Sequence, residues 1–508
     1  MNKIIAYITI SLIIIYWVYL RFYELDTWSF WIDEWYSSIV SYFSYINNFS
    51  PLMLNWDYNF SQYAFTFLQN ISFSLFWISD FAARIPSFII SILTIFLYLI
   101  FANEIFKTNK DKHIYIIFMM ILFVFSTWQI IWAREARFYE LLWFIYFISI
   151  YFLWKYFVKN DNSYYLYFFI SSIIWIFFHP FCFWLIVIWF ILFIYKTYKT
   201  KNLKNIRKIV ILWIIINLYL IIDLSIRYIS NWNSNISNPL SWVNYLWDYN
   251  FINYLFFYIK SIYSQLWIIF IAYLWMLIFF LSKKKYIEFI IFWLTFIINI
   301  VTISIWYMWH TRYMFHLYSL ITFIWSLWII LFIHFIIKKF TLKKLWVYIL
   351  IFIILFWIIK TYKLSIIPQR FYYIDYTSPK PNFKMAYNYL NENIKDAKII
   401  SGFPHLCYWY NIKNIEKCEY SIKINLIWNK KVTETLNKQE KEYYSNIKSI
   451  NNYTELDKNT HYFVLDDLTI KNAINKDIIN DVINNCTMIY KDVWNYESSN
   501  FLWIWRCN

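Results

Sequence analysis

The chain has 508 residues, of which 61% are hydrophobic and only 15% charged, with a formal net charge of +16 and a mean hydropathy of +0.44. This composition excludes a soluble globular protein and indicates a polytopic membrane protein. The basic residues are concentrated in short loops at 107–112, 196–208, 283–285 and 338–344. That distribution is the positive-inside pattern of cytoplasmic loops, and it argues against a nucleic-acid partner.

The counts of glycine and tryptophan are unusual, at 1 and 31. A chain of this length should have about 35 glycines at the usual frequency of ~7%, and the two counts together approach that number. We hypothesise that UGA codons meaning glycine in the source were translated as tryptophan. A genuinely tryptophan-rich protein from an AT-rich genome remains the alternative, so the sequence assigns no tryptophan a function.

The first predicted element is an apolar run at 4–20, which is long enough to cross a bilayer. It lacks a small-residue cleavage site, so we interpret it as an uncleaved first span. Arg21 follows, and the acidic pair Asp33-Glu34 lies in the loop beyond it. Carboxylates at the mouth of a helical membrane bundle are costly to place, which makes this pair a candidate functional site.

Further apolar runs predict a multi-pass α-helical membrane protein with about 11–13 transmembrane helices. They lie near 64–79, 84–101, 113–131, 139–157, 164–178, 181–195, 209–226, 262–281, 286–307, 314–337 and 345–366. The sidedness of the basic loops is inconsistent with twelve spans. Either 64–79 does not cross, or a hidden segment within 36–54 does, and the sequence leaves both possibilities open.

Four polar clusters outside the C-terminal tail map to the non-cytoplasmic side. They are Asp33-Glu34, Arg134 to Tyr139, His179-Pro180, and His310 to Tyr313. We expect these loops to converge on one site, where a carboxylate removes a proton from a nucleophile and arginines hold a phosphate. Simpler interpretations remain open: solvated acids, arginines that snorkel to headgroups, and a helix that ends at a proline. Arg84 is expected to be an interfacial anchor.

Residues 367–508 are richer in charge, and we predict two domains, 1–366 and 367–508. Helical spacing at 383–393 and strand-like runs at 397–401 and 462–465 predict a compact α/β domain. Four of the five cysteines lie there, which suggests two disulfides in an oxidising compartment. Neighbouring pairs, Cys407–Cys418 and Cys486–Cys507, are preferred over free thiols. No cysteine or histidine spacing supports a metal site.

The chain resembles the GT-C glycosyltransferases of the protein O-mannosyltransferase and aminoarabinose transferase type (glycosyltransferase family 39 and its relatives). Four stretches carry the resemblance, namely Phe30 to Glu34, Ile78 to Ser87, Ala133 to Tyr139, and His179-Pro180. The resemblance covers most of residues 1–340. It is weakest at Asp57 to Tyr63, where the family often has His-Pro-Pro-like residues.

The resemblance implies a sugar transfer from a polyprenyl-phosphate donor to a lipid, glycan or protein acceptor on the outer face of the cell membrane. By this resemblance Asp33 is the catalytic base, Glu34 supports it, and the transfer inverts the anomeric carbon. The implied donor-phosphate or sugar-binding residues are Arg134, Arg137, Tyr139, His179, His310 and Arg312. No cofactor or metal is implied.

Three other functions were weighed against this one. A cell-envelope polysaccharide polymerase or ligase would use the same carrier, but its key residues typically lie in large central outer loops. A transporter would require charged or broken helices near the membrane centre and an internal repeat, and neither is evident. An inactive scaffold of the same fold would require Asp33 to be dispensable.

Overall fold

The computed structural model describes the N-terminal helices and the C-terminal sheet most fully. The described residues are 3–27, 30, 32–50, 63–107, 112–176, 183–201, 206–208, 210–215, 217–218, 221, 256, 274–282, 286–305, 323–324, 326–327, 329–331, 349, 366–368, 381–411, 415–424, 440–441, 447–450, 452–456, 459–492 and 501–507. The predicted site residues His179, His310 and Arg312 lie outside these ranges, as does the predicted span 345–366 apart from residues 349 and 366.

The first part of the chain is helical. Its helices are α1 (Lys3–Phe22), α2 (Ile32–Ile46), α3 (Tyr63–Phe76), α4 (Asp80–Ile105), α5 (Lys112–Val124), α6 (Thr127–Ala133), α7 (Tyr139–Leu153, extended by a π turn at Trp154–Val158), α8 (Ser163–Ile176), α9 (Phe183–Thr200) and α10 (Tyr286–Ile305). Helices α1 and α4, and α7 with its π turn, are long and apolar enough to cross a membrane. The run predicted as one span at 113–131 is two helices, α5 and α6, which meet at Phe125 and Ser126.

Helices α2 and α3 explain the difficulty with the number of spans. They have 15 and 14 residues, so each is only ~22 Å long against a hydrocarbon thickness of ~30 Å. Their interface is polar: Ser41 donates to the Gln69 side chain, and the Asn70 and Ser44 side chains are hydrogen-bonded. Neither helix is built to cross a bilayer, which favours the alternative in which 64–79 does not span.

The C-terminal region is α/β, as predicted. It contains α11 (Phe383–Asn393), β1 (Lys398–Ser401), α12 (Pro404–Tyr410), β2 (Cys418–Ile422), β3 (Lys448–Ile450), β4 (His461–Asp466), α13 (Asp467–Asn472), α14 (Lys476–Asn485), β5 (Thr487–Asp492) and β6 (Leu502–Cys507). The strand order is β3-β2-β1-β4-β6-β5. Strands β1 to β4 pair in parallel, whereas β6 pairs antiparallel with β4 and β5.

The sequence predicted both disulfides correctly. Cys407 of α12 is bonded to Cys418 of β2, and Cys486 is bonded to Cys507. The first bridge ties α12 to the sheet, and the second ties the end of α14 to the final strand. Together they fix the elements that flank the sheet, which suits a domain in an oxidising compartment.

The sheet has an apolar core on each face, and one of these cores includes the helical part of the chain. Buried residues of α11, α12 and the sheet pack in one cluster with Trp35, Ile39 and Phe43 of α2. The opposite face packs against α14. Helix α2 is therefore held between the membrane helices and the C-terminal sheet.

Candidate active site

The acidic residue Glu34 is the centre of a buried ion pair. Its carboxylate accepts from Arg84 Nε at 2.8 Å and from Arg84 Nη2 at 3.2 Å, and both side chains are almost inaccessible. Arg84 Nη1 also donates to the Leu25 carbonyl at 2.8 Å. Arg84, expected as an interfacial anchor, is instead the partner that fixes the start of α2 against α4.

The segment after α6 joins the same cluster. The Ala136 N–H donates to Glu34 Oε1 at 2.9 Å, and Arg137 Nη1 donates to Ser37 Oγ of α2 at 2.9 Å. Ser87 of α4 in turn donates to the Arg137 carbonyl. Three parts of the chain, α2, α4 and 134–138, are thus bound together around one carboxylate.

Arg134 has a different environment from Arg137. Its guanidinium donates to the carbonyls of Leu20, Tyr23 and Glu24, at 3.1, 2.6 and 3.4 Å. These carbonyls lie at the C-terminal end of α1, where the last turn of a helix has no internal donors and a cation is favourable. Arg134 therefore caps the C-terminal end of α1.

Arg137 is buried where the segment after α6 packs against α2. Its guanidinium lies over the rings of Phe138 and Tyr139, 5.2 and 5.4 Å from their centroids. Such aromatic support favours a cation in a desolvated position. Tyr139 opens α7 and packs edge-on against Trp132, so this predicted contact residue is placed beside Arg137.

Asp33 lies in the first turn of α2, where the helix dipole favours a negative charge. Residues three and four positions apart share a helical face, so Asp33 shares a face with Tyr36 and Ser37. Ser37 is the residue that holds the Arg137 guanidinium. Arg137 is therefore bound to the same helix, α2, that carries Asp33.

The C-terminal region closes over this cluster. Asp80, the first residue of α4, accepts from Trp409 Nε1 at 2.8 Å and lies 3.1 Å from Lys384 Nζ. The Phe30 N–H, just before α2, donates to Tyr410 Oη at 2.9 Å. Helix α12 therefore contacts both helices, α2 and α4, that carry the buried ion pair.

His405 of α12 packs against α2 at the residue next to Glu34 in sequence. Its ring is 4% exposed and stacks on Trp35, the residue after Glu34, with 3.3 Å between ring centroids. Neither ring nitrogen has a hydrogen-bond partner among the described residues. Burial lowers the pKa of His405 well below its usual value, so the imidazole is neutral at physiological pH.

Sequence reasoning missed three residues that the structure places here: Asp80, Glu140 and His405. Glu140, in the first turn of α7, is fully buried, and within the described structure neither of its carboxylate oxygens accepts a hydrogen bond. A membrane-buried acid was a detectable signal for Glu140. His405 and Asp80 gave no local signal, because each matters only through a partner distant in sequence.

The cluster places α2, the helix that carries Asp33 and Glu34, next to the buried Arg137 guanidinium. Among the described residues no group of three or more histidines, cysteines, aspartates or glutamates could hold a metal ion. Of the described side chains, the buried Arg137 guanidinium is a group that can bind an anion.

No family model matches the sequence, and no curated protein matches it. Among solved structures the chain is similar to ArnT from Cupriavidus metallidurans in the apo state, with a TM-score of 0.56, 9% identity, and 98% of this chain and 97% of that chain covered. It is also similar to the same protein bound to undecaprenyl phosphate, with a TM-score of 0.57, 9% identity, and coverage of 99% and 98%. The likeness confirms the predicted fold, a helical bundle followed by a C-terminal α/β region.

Proposed function

We propose that this chain, which has the fold of the ArnT structures over nearly its whole length, is an inverting membrane glycosyltransferase. It takes a sugar from a polyprenyl-phosphate donor and transfers it to a lipid, glycan or protein of the cell envelope. The observation that carries the proposal is the buried cluster around Glu34, because it brings the Asp33 helix and Arg137 to one place. ArnT in one of the similar structures is bound to undecaprenyl phosphate.

Asp33 is the proposed catalytic base. It removes the proton from the attacking group of the acceptor as that group displaces the lipid phosphate from the anomeric carbon. Glu34 is committed to Arg84 and to the Ala136 N–H, so its proposed role is to position Asp33. One displacement with one base inverts the anomeric carbon.

Arg137 is the proposed ligand of the leaving phosphate. A guanidinium binds phosphate oxygens by forked, charge-assisted hydrogen bonds, and its position over two aromatic rings keeps it at the mouth of the bundle. Arg134 becomes a positioning residue, since its donors are directed at the end of α1. Tyr139 beside Arg137, and His179, His310 and Arg312 outside the described residues, remain proposed contacts of the donor or acceptor.

We place the protein in the cell membrane as two domains, 1–366 and 367–508, with the second outside the cytoplasm. Two disulfides in the C-terminal region support an oxidising compartment. The docking of α12 onto α2 and α4 puts the acidic pair on the same side of the membrane as that region. The acceptor therefore approaches from outside the cytoplasm.

The test is sugar transfer by the full-length chain in membranes supplied with radiolabelled polyprenyl-phosphate sugars. Asp33→Asn should lower transfer by about 10²-fold or more, the size of effect that a positioned general base contributes. The gene should be expressed with the doubtful codons read as glycine and, in parallel, as tryptophan.

Two control variants make the result specific. Asp26→Asn changes an exposed acid in the same loop and should leave transfer unchanged. Glu34→Gln leaves the buried Arg84 charge uncompensated, which typically destabilises by about 3–5 kcal/mol, so it should lower the amount of folded protein. Full activity in Asp33→Asn would remove Asp33 from catalysis, and no transfer by the unmodified chain from any donor would overturn the proposed function.

A further inference from the structure

The imidazole of His405 is buried, and its two nitrogens make no hydrogen bond to the described residues. The ring is enclosed by Trp35, Tyr36 and Phe403, with centroid distances of 3.3, 5.5 and 5.4 Å. A buried polar group without a hydrogen bond is unfavourable, so this imidazole calls for a partner that the described part of the chain does not supply.

The contact with Trp35 indicates where that partner binds. Paired aromatic rings usually have centroids ~4.5–7 Å apart, and 3.3 Å between His405 and Trp35 means that the two side chains compete for one volume. Trp35 is one of the residues that we expect to be glycine in the source. With glycine at this position, the volume beside the imidazole is open, and it adjoins the first turn of α2.

The volume beside His405 adjoins the helix that carries the proposed base, Asp33, and that holds the proposed phosphate ligand, Arg137. Trp35 follows Asp33 and Glu34 directly, and Tyr36, which also contacts His405, shares a helical face with Asp33. The lipid phosphate is assigned to Arg137, which α2 holds through Ser37. His405 reaches the same helix from the outer domain, the side from which the acceptor approaches.

We propose that His405 binds the acceptor, accepting a hydrogen bond from its hydroxyl group beside Asp33, so that the outer domain contributes a residue to the active site. This inference rests on the proposed glycosyltransferase function. The low pKa of His405 supports it, because a neutral imidazole keeps a nitrogen lone pair for a hydroxyl donor. The role is one of substrate binding, whereas the proton is removed by Asp33.

The first experiment measures transfer by full-length chains that carry Trp35→Gly, so that the volume beside His405 is open, and compares variants that separate packing from hydrogen bonding. His405→Phe keeps a ring in the stack without nitrogens, and His405→Gln keeps a hydrogen-bonding group without the ring. We expect His405→Phe to raise KM for the acceptor about tenfold with KM for the donor unchanged, and His405→Gln to recover part of the loss. If His405→Phe is as active as the Trp35→Gly chain that keeps His405, the ring is only packing and the inference is wrong.

The second experiment does not depend on turnover. Diethyl pyrocarbonate modification of His405 is followed by mass spectrometry of its peptide in the Trp35 chain and in Trp35→Gly. We expect modification to be at least tenfold faster in Trp35→Gly, because the open volume admits the reagent. Equal protection in both chains would show that no substrate reaches His405 and would overturn the inference.

Together the two experiments distinguish the possible failures. If the unmodified chain transfers no sugar but His405 becomes reactive in Trp35→Gly, the proposed function fails while the open volume at His405 stands. If transfer is normal and His405→Phe leaves KM for the acceptor unchanged, the proposed function stands and the role of His405 fails.

Discussion

The charged side chains around Glu34 fall into two groups. Some hold the helices together, and others are proposed to take part in the reaction. Glu34, Arg84 and Arg134 are occupied by an ion pair and by helix-end carbonyls. Arg21 belongs to the same class, since it donates to the Val124 carbonyl at the end of α5 and lies over the Trp17 ring. We assign the transfer reaction to two other residues, Asp33 and Arg137.

Two tryptophans differ clearly in their contacts and backbone conformation. Trp409 uses its indole N–H to bind Asp80, whereas Trp77 lies just beyond the end of α3 with φ of 66° and 84% of its surface exposed. The residue after a helix often adopts this left-handed conformation and is then usually glycine. Among the described tryptophans, Trp77 is therefore the one whose backbone indicates a glycine codon.

Replacing Trp77 by glycine should stabilise the protein. The left-handed conformation costs a residue with a side chain about 1–2 kcal/mol, and the exposed indole gives little in return. Trp77→Gly should raise the apparent unfolding temperature in detergent. Trp275→Gly is the matched control, since Trp275 is exposed within a helical segment and glycine there should destabilise by about 1 kcal/mol. A lower unfolding temperature in Trp77→Gly would count against a native glycine.

Among the elements, the β1 and β4 ends form the crowded edge of the C-terminal sheet. Gly402, the one glycine in the chain, follows β1, where an added Cβ would overlap the Thr469 side chain. Asp466 ends β4 and caps α13 by accepting from the Thr469 backbone N–H. Burial nevertheless raises the pKa of Asp466 to about 6, because the charged form is poorly solvated.

This raised pKa predicts a pH dependence of local stability. The folded state holds a proton on Asp466 between pH ~4 and 6 that the unfolded state releases, so stability should fall as pH rises through this window and level off above it. Hydrogen exchange of peptides covering 461–472 in the full chain, corrected for the intrinsic rate, measures the effect. Asp466→Asn retains a capping oxygen and should abolish the fall, whereas Asp477→Asn, an exposed acid, should retain it. A flat profile in the unmodified chain would contradict the assignment.

At the scale of the whole molecule, the C-terminal region and the helical bundle share a core. Trp35, Ile39 and Phe43 of α2 lie in one apolar cluster with Phe403 and Leu406. Around that cluster, Asp80 pairs with Lys384, and Phe30 is hydrogen-bonded to Tyr410. The active site that we propose is thus completed by the docking of the two parts.

Weakening this docking should expose the α2 and α12 contact. Lys384→Met removes the ion pair with Asp80, and because Lys384 is partly exposed the pair contributes at most about 1 kcal/mol. Exchange in peptides covering 32–46 and 404–410 should rise by no more than roughly fivefold. Lys398→Met breaks a pair with Glu419 inside the C-terminal region and should leave these peptides unchanged. An equal response to both variants would mean that the Asp80 pair does not hold the docking.

Local properties of the sequence determined much of this protein. The apolar runs predicted the membrane helices, the spacing at 383–393 matched α11, and the cysteines pair as neighbours. The resemblance carried by short stretches predicted the fold that the chain shares with the ArnT structures. These features are readable because hydrophobic periodicity and short cysteine spacings act over a few residues.

Only the tertiary structure decided which of the charged and polar residues meet. It placed Arg84 on Glu34 across 50 residues and Tyr410 on Phe30 across 380, directed Arg134 to the end of α1, and brought His405 to the acidic helix. It also gave α2 and α3 lengths of 15 and 14 residues. No local pattern encodes these outcomes, because a buried charge takes the partner that the packing of distant elements provides.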